Sequence, residues 1–358
     1  MALHVHPDIA SLSPYVPGKP IDELQRELGL TRIIKLASNE NPLGPSPKAV
    51  AALTGGAESL HRYPDGGAYR LRQAIADRWK VTPDHIILGN GSDEILGLLA
   101  RTFLSPGEEA VMADHTFVIY RMEVVAAHGK AVTVPLSDWA HNLDAMASAI
   151  TPRTRLVFVC NPNNPTGTMV SAEAVHRFMA QIPEDVIVVF DEAYLEYVQS
   201  ADFPDTLAYV KDGRQAIVLR TFSKIYGLAG LRIGYGIALP EINNHLNRIR
   251  PPFNANSLAQ RAALAAMTDD DHVAKSRATN VAGMEQLRHG LGALGFHPLP
   301  SEANFVYFDV KRDGRPVFDA LLREGIIVRH IEGRMLRVTI GQPDENNAFL
   351  QALKKVLQ

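Results

Sequence analysis

A single cysteine stands among the 358 residues of this chain, so no intrachain disulfide and no Cys-x-x-Cys metal site is available. Cys160 lies inside an apolar run and reads as a small core residue, as expected in a reducing, cytoplasmic compartment. The thirteen histidines include no His-Glu-x-x-His pairing, so no metal is expected. No apolar stretch approaches the roughly 18 residues that span a bilayer. Residues 1–8 lack the basic start and apolar centre of a signal peptide. Net charge is −3 with no basic block, which argues against nucleic-acid and membrane partners. What is present is ordinary for a soluble globular protein: 46% apolar and 21% charged residues, in a chain long enough for two domains.

Short apolar runs alternate with helical patterns through the middle of the chain. Strand-like runs fall at 85–88, 109–113, 131–136, 156–160, 186–190, 216–220 and 233–239. Helices are expected at 93–103 and 172–181. This alternation predicts an α/β fold, with a mostly parallel sheet covered by helices on both faces. After Pro240 long helical patterns take over, at 241–249, 257–267 and 272–294. The chain then ends in strands at 305–310, 326–328 and 336–340 with helices between and after them, a smaller α+β domain. The proline-rich start, Ser13-Pro14-Tyr15-Val16-Pro17-Gly18, reads as an extended arm with a short helix at 21–28. The expected division is an arm at 1–40 joining the small domain, a large domain at 41–245 and a small domain at 246–358.

Chemistry concentrates at the ends of the apolar runs. Ala216–Leu219 leads into Arg220-Thr221-Phe222-Ser223-Lys224, with Arg232 eight positions beyond the lysine. A phosphate-bearing aldehyde needs such a set: an amine to condense with the aldehyde, and hydroxyls plus a guanidinium for the phosphate. A strand-end lysine pointing to solvent is the plain alternative. The run 186–190 ends in Asp191-Glu192-Ala193-Tyr194. A carboxylate there lies where open α/β sheets bind ligands and can pair with a protonated pyridine nitrogen; a simple helix cap is the alternative. Tyr194 can meet a ring phenolate oxygen. So can an amide of Asn161-Pro162-Asn163-Asn164-Pro165-Thr166-Gly167, which is otherwise just a turn. Gly89-Asn90-Gly91-Ser92-Asp93 follows a strand and opens a helix, whose free amides can hold an anion.

These motifs, together with Gly227-Leu228-Ala229-Gly230-Leu231-Arg232 and the N-terminal Leu36-Ala37-Ser38-Asn39-Glu40-Asn41-Pro42, resemble the fold-type I pyridoxal-phosphate aminotransferases, and within them the histidinol-phosphate aminotransferase branch. The resemblance runs from about Ser13 to the C-terminus. It implies an aspartate-aminotransferase-like fold and a homodimer. It makes Lys224 the covalent anchor and proton carrier and Asp191 the partner of the ring nitrogen. Asn164 and Tyr194 would face the ring oxygen, and Gly91, Ser92, Asp93, Thr221, Ser223 and Arg232 the phosphate. Phe117 would stack on the ring where many relatives carry tyrosine, and Tyr63 would reach the phosphate from the neighbouring subunit.

For the substrate, the resemblance implies Tyr15, Asn41, Arg329 and Arg337. Arg337 interrupts the apolar run Leu336–Ile340, where alternation alone would also fit a solvated face. The amino donor is expected to be histidinol phosphate and the acceptor 2-oxoglutarate, giving glutamate. The motifs do not separate this from an aromatic amino-acid aminotransferase. A threonine-phosphate decarboxylase and a cofactor-binding module without turnover are the remaining alternatives, the last weakened by the presence of both Lys224 and Asp191.

Overall fold

The computed structural model describes residues 3–15 and 17–358. Its strands are β1 (Ile34–Lys35), β2 (Ile86–Gly89), β3 (Glu109–Ala113), β4 (Lys130–Val134), β5 (Thr154–Cys160), β6 (Ile187–Asp191), β7 (Ala216–Thr221), β8 (Gly234–Ala238), β9 (Phe305–Asp309), β10 (Ile326–Ile327), β11 (Arg329–His330) and β12 (Met335–Thr339). Seven of them form the main sheet in the order β2-β8-β7-β6-β5-β3-β4. All neighbours are parallel except β8, which runs antiparallel to both β2 and β7.

The apolar runs are unbroken because both faces of the sheet are covered. Successive side chains point to opposite faces. Val157, Val159, Val188, Phe190 and Val218 enter one core layer, while Leu156, Phe158, Val189, Ile217 and Leu219 enter the other. The expected α/β class is therefore met, strand by strand. The sequence order reverses beside β3: the chain steps outward to β4, then returns to lay β5, β6 and β7 on the other side. Such a reversal opens a crevice at the carboxyl ends of the strands.

A second unit is built on the antiparallel sheet β11-β12-β9 and the parallel pair β1-β10. Its core contains Ile34, Leu36, Leu287, Leu291, Phe308, Val338, Phe349 and Leu353. The expected cut at 245/246 does not follow this division of the cores. The helix Ser257–Ala266 lies beyond it, yet Ala259, Ala262, Ala263 and Ala266 pack in the main core. The long helix Asp270–Ala293 crosses from one core to the other, with Val273 in the main core and Leu287 in the second.

The arm also divides. The helix Ile21–Leu28 places Leu24 against Ala37 and Ile327 of the second unit. The helix Pro7–Ser11, which the sequence pattern does not reveal, lies instead on the helix Ile119–Ala126 of the main unit. Tyr69–Trp79 and Ile119–Ala126 are likewise helices outside the predicted set.

Candidate active site

Where β5, β6 and β7 end, a cavity of about 190 Å³ lies between the main sheet and the second unit. Asp191 is the last residue of β6 and is 4% exposed. Its Oδ2 accepts a hydrogen bond from the Tyr120 hydroxyl at 2.6 Å, and its Oδ1 one from the Ala193 N–H at 3.2 Å. Burial pushes the carboxyl up to about 6, although the Tyr120 hydroxyl favours the charged form. Tyr120 is fully buried and stacked on Phe158, with ring centroids 4.9 Å apart. It faces Phe117 edge-on, and Phe117 lines the cavity.

Lys224 follows β7 and is half-buried, its open side being the cavity. Its ammonium donates to the Ser38 carbonyl at 3.2 Å, a neutral partner. Burial, with the positive charge of Arg337 second, lowers it to about 8. Tyr194 lies across from it, with the Lys224 nitrogen 5.7 Å from the ring centroid. The Tyr194 hydroxyl accepts from Asn39 Nδ2 at 2.8 Å. Asn39 holds a left-handed backbone, φ 54°, which asparagine tolerates better than most residues. Its N–H donates to Thr339 Oγ1 at 2.9 Å, so β12 helps to place it.

The far end of the cavity is built for an anion. Gly91, at φ 76°, turns the chain into the helix Ser92–Phe103, leaving the first amides of that helix facing the cavity. The positive φ favours glycine, and a Cβ there would lie 2.7 Å from Arg232 Nη2 and push the guanidinium off this turn. Arg232 is held there by Asp93, 3.2 Å away, and by the Ala229 carbonyl. Thr221 and Ser223 complete this wall; the Ser223 N–H donates to Thr221 Oγ1 at 3.0 Å.

The opposite wall is cationic. Arg329 and Arg337 face each other directly across β11 and β12. Among the described residues, both hydrogen bonds of Arg337 go to neutral oxygens, Asn164 Oδ1 at 2.5 Å and the Ala37 carbonyl at 2.7 Å, and its Nε is buried without a partner. Burial lowers its pKa, opposed by Tyr194 and reinforced by the charge of Arg329. Arg329 lies over the Tyr15 ring, 5.5 Å from its centroid. Like charges set opposite one another destabilise a sheet. This pair makes physical sense when an anion lies between them and the cavity.

Asn41 and Tyr63 do not line the cavity of their own chain, which for Tyr63 agrees with a role toward a neighbouring subunit. The amide nitrogen of Asn41 is spent on the Ile225 carbonyl at 2.7 Å and on Ser276 Oγ at 2.8 Å. The asparagine of that segment facing the cavity is Asn39. Tyr63 is 82% exposed, stacked on Phe253 with centroids 4.6 Å apart, outside the cavity of its own chain. Tyr120 and Asn39 are functional candidates that the sequence pattern did not single out. Each acts across a long chain separation; Tyr120 carries no local signal, and Asn39 stands in the Leu36–Pro42 motif close to Asn41, the asparagine that the resemblance implies.

The donor set fits a flat, phosphate-bearing pyridine aldehyde. It offers an amine of lowered basicity, a buried carboxylate without a cation, and an amide-lined turn with a guanidinium above it. Fold and site together define a class: the chain belongs to the aminotransferase class I and II family, whose family model matches residues 31–353. It is 54% identical over 354 residues to a histidinol-phosphate aminotransferase of Moorella thermoacetica, covering 98% of this chain and 92% of the relative. It is 51% identical over 359 residues to histidinol-phosphate aminotransferase 2 of Pseudomonas aeruginosa, covering 98% and 97%. Among solved structures it is similar to the histidinol-phosphate aminotransferase of Sinorhizobium meliloti in complex with pyridoxal-5'-phosphate. That similarity has a TM-score of 0.92 and 30% identity, over 100% of this chain and 98% of the other.

Proposed function

We propose that this chain is a pyridoxal-phosphate-dependent aminotransferase that passes the amino group of histidinol phosphate to 2-oxoglutarate, a step of histidine biosynthesis. The observation that carries the reading is Lys224: a cavity-facing amine, lowered to about 8, with a neutral carbonyl as its hydrogen-bond partner and two arginines on the opposite wall. The names of relatives at 54% and 51% identity support the substrate. Bound in the cavity, the cofactor would supply an aldehyde that captures the substrate amine and a ring that stores the electrons left behind when a proton departs.

The protein does the rest. The backbone amides at Gly91, Ser92 and Asp93, the hydroxyls of Ser92, Thr221 and Ser223, and the Arg232 guanidinium would hold the phosphate. Asp191, whose charged form Tyr120 favours, would hold a proton on the ring nitrogen. Asn164 and Tyr194 would serve the ring oxygen, and Phe117 would pack on the ring. With the cofactor bound, the Lys224 amine would be the group placed to take a proton from the substrate α-carbon and to hand it back on the same side of the cavity. A basicity near neutrality suits both halves of that transfer. Arg337 and Arg329, with Tyr15, take the substrate's phosphate ester in one half-reaction and a carboxylate of 2-oxoglutarate in the other.

We further propose a cytoplasmic homodimer. Tyr63, Phe253, Tyr69 and Leu60 leave aromatic and apolar surface exposed, and a second copy that covered it would bring Tyr63 to the partner's phosphate site. Among the described residues no helix is long and apolar enough to cross a membrane.

The test is a set of specificity constants with histidinol phosphate, phenylalanine and threonine phosphate. Histidinol phosphate should be preferred, and Arg329→Ala should weaken it relative to phenylalanine by about 1.5–3 kcal/mol, the worth of a hydrogen bond to a charged group. The aromatic aminotransferase is kept as second reading by the apolar wall of the adjoining cavity, with Phe117, Val118, Met122 and Ile331. It takes over if wild type prefers phenylalanine.

A further inference from the structure

One cluster of metal-ligating side chains lies outside the site described above. Among the described residues, the donor atoms of His6, Asp8 and His128 all lie within 4.8 Å of one another. Asp8 Oδ2 is 3.5 Å from His6 Nδ1 and 3.0 Å from His128 Nδ1. Tetrahedral zinc, with bonds of about 2.0–2.2 Å, sets its ligand atoms about 3.3–3.5 Å apart, so small rotations of these side chains close the set. His128 is held ready on the backbone. It has φ 62°, its N–H donates to the Val125 carbonyl and its own carbonyl accepts from Gly107. Both imidazoles also stand close, with centroids 3.9 Å apart. Residues 6 and 8 reach residue 128 only through the fold, so no sequence spacing betrays the set.

We propose that His6, Asp8 and His128 bind one zinc-class divalent ion, with a solvent position left open, and that this ion staples the N-terminal segment to the wall of the active-site entrance. Two imidazoles and one carboxylate suit zinc and disfavour magnesium or calcium, which prefer oxygen ligands. The helix Pro7–Ser11 lies on the helix Ile119–Ala126. Beyond it, residues 11–15 and the second helix wall a cavity of about 530 Å³ that adjoins the site. Tyr15, at the end of this segment, carries Arg329 over its ring. An ion at His6 and Asp8 thereby fixes the anchor point of the chain that delivers Tyr15.

The experiment uses the cofactor-loaded enzyme without any histidine tag. Equilibrium dialysis against zinc should find one saturable site per chain, and both His128→Asn and Asp8→Asn should weaken it about tenfold or more. Asparagine is chosen at 128 because it tolerates the left-handed backbone that alanine would strain. Zinc should slow chymotryptic cleavage after Leu12 and Tyr15 in the wild type and leave both variants unaffected. No saturable binding, or equal binding in wild type and variants, overturns the site. Binding without any change in cleavage overturns the staple.

Discussion

Arg220 and Lys224 sit four residues apart at the end of the same strand and meet opposite fates. Arg220 points away from the cavity into an ion pair with Glu192, which leaves only its Nη1 without a partner among the described residues. Its Nε and Nη2 both donate to Glu192 Oε2, at 2.9 and 2.7 Å, and its guanidinium lies 3.7 Å from the centroid of the Trp79 ring. Thr206 donates to the other Glu192 oxygen, and Trp79 donates to the Tyr235 hydroxyl. Lys224 faces the cavity with a carbonyl for company. One cation is paired with a carboxylate of the protein and the other is left for a ligand. Glu192 and Asp191 divide in the same way on the neighbouring strand: the glutamate is paired inside the fold and the aspartate waits for a cation. A charge paired inside the fold cannot be removed singly without cost; a charge left unpaired beside a cavity marks the chemistry.

The sharpest way to break this comparison is to remove each cation in turn. Lys224→Ala should abolish transamination, with kcat falling by about 10⁴ or more since both proton carrier and anchor are lost, while the melting temperature stays within a few degrees. Arg220→Ala should do the reverse in character. It strands Glu192 as an uncompensated buried charge, so stability should drop by about 3–5 kcal/mol, read from chemical denaturation. The double variant Arg220→Met with Glu192→Leu should recover most of that loss, because both charges are gone. If Arg220→Ala leaves stability intact and removes activity instead, the division between scaffold and site collapses.

The same contrast has a pH signature. The Lys224 ammonium is lowered from 10.5 to about 8 by burial, so between these values the unfolded chain binds more protons than the folded one. Stability of the cofactor-free protein should therefore rise with pH across that window. Below pH 8 the full cost of the partly buried ammonium is present, so Lys224→Met should be the more stable protein there, by up to about 3 kcal/mol. Its advantage should fade as the pH rises through the window. A wild type more stable than Lys224→Met at neutral pH would mean that the ammonium has a partner in the fold after all.

What was legible in the sequence follows the same line. Lys224, Asp191, Thr221 and Ser223 were readable because each ends or follows an apolar run, and a strand covered on both faces can only present polar chemistry at its end. The helix Ile21–Leu28 was readable in both type and bounds. The segment Ser38-Asn39-Glu40-Asn41 defeated sequence reasoning. Which of its asparagines faces the cavity is set by the left-handed backbone of Asn39 and by Ser276, which takes the amide of Asn41 from a distant helix. The division of the cores was hidden for a related reason. The alanine-rich face of Ser257–Ala266 has the periodicity of any packed helix and carries no sign of which sheet it covers. Tyr120 is the clearest loss: its hydroxyl reaches Asp191 across 71 positions, from a helix that the pattern does not reveal.

Tyr120 also gives the finest test, because it adjusts the unsatisfied charge without removing it. Its hydroxyl donates to Asp191 Oδ2 and so favours the carboxylate against burial, which raises the carboxyl to about 6. Tyr120→Phe keeps the ring stacked on Phe158 and deletes only that donor. A hydrogen bond to a charged group is worth about 1.5–3 kcal/mol, and the low end applies because the Ala193 N–H still holds the other oxygen. Loss of about 1.5 kcal/mol corresponds to about one pH unit, so the Asp191 carboxyl should titrate about one unit higher in the variant. Affinity for the pyridine cofactor, if it rests on an ionised Asp191, should fall as the pH drops through that titration. The midpoint of the affinity–pH curve should therefore shift upward in Tyr120→Phe, with affinity at alkaline pH nearly unchanged. An unshifted midpoint would mean that Asp191 draws its charge from the incoming ring nitrogen alone and that Tyr120 serves only to pack against Phe158.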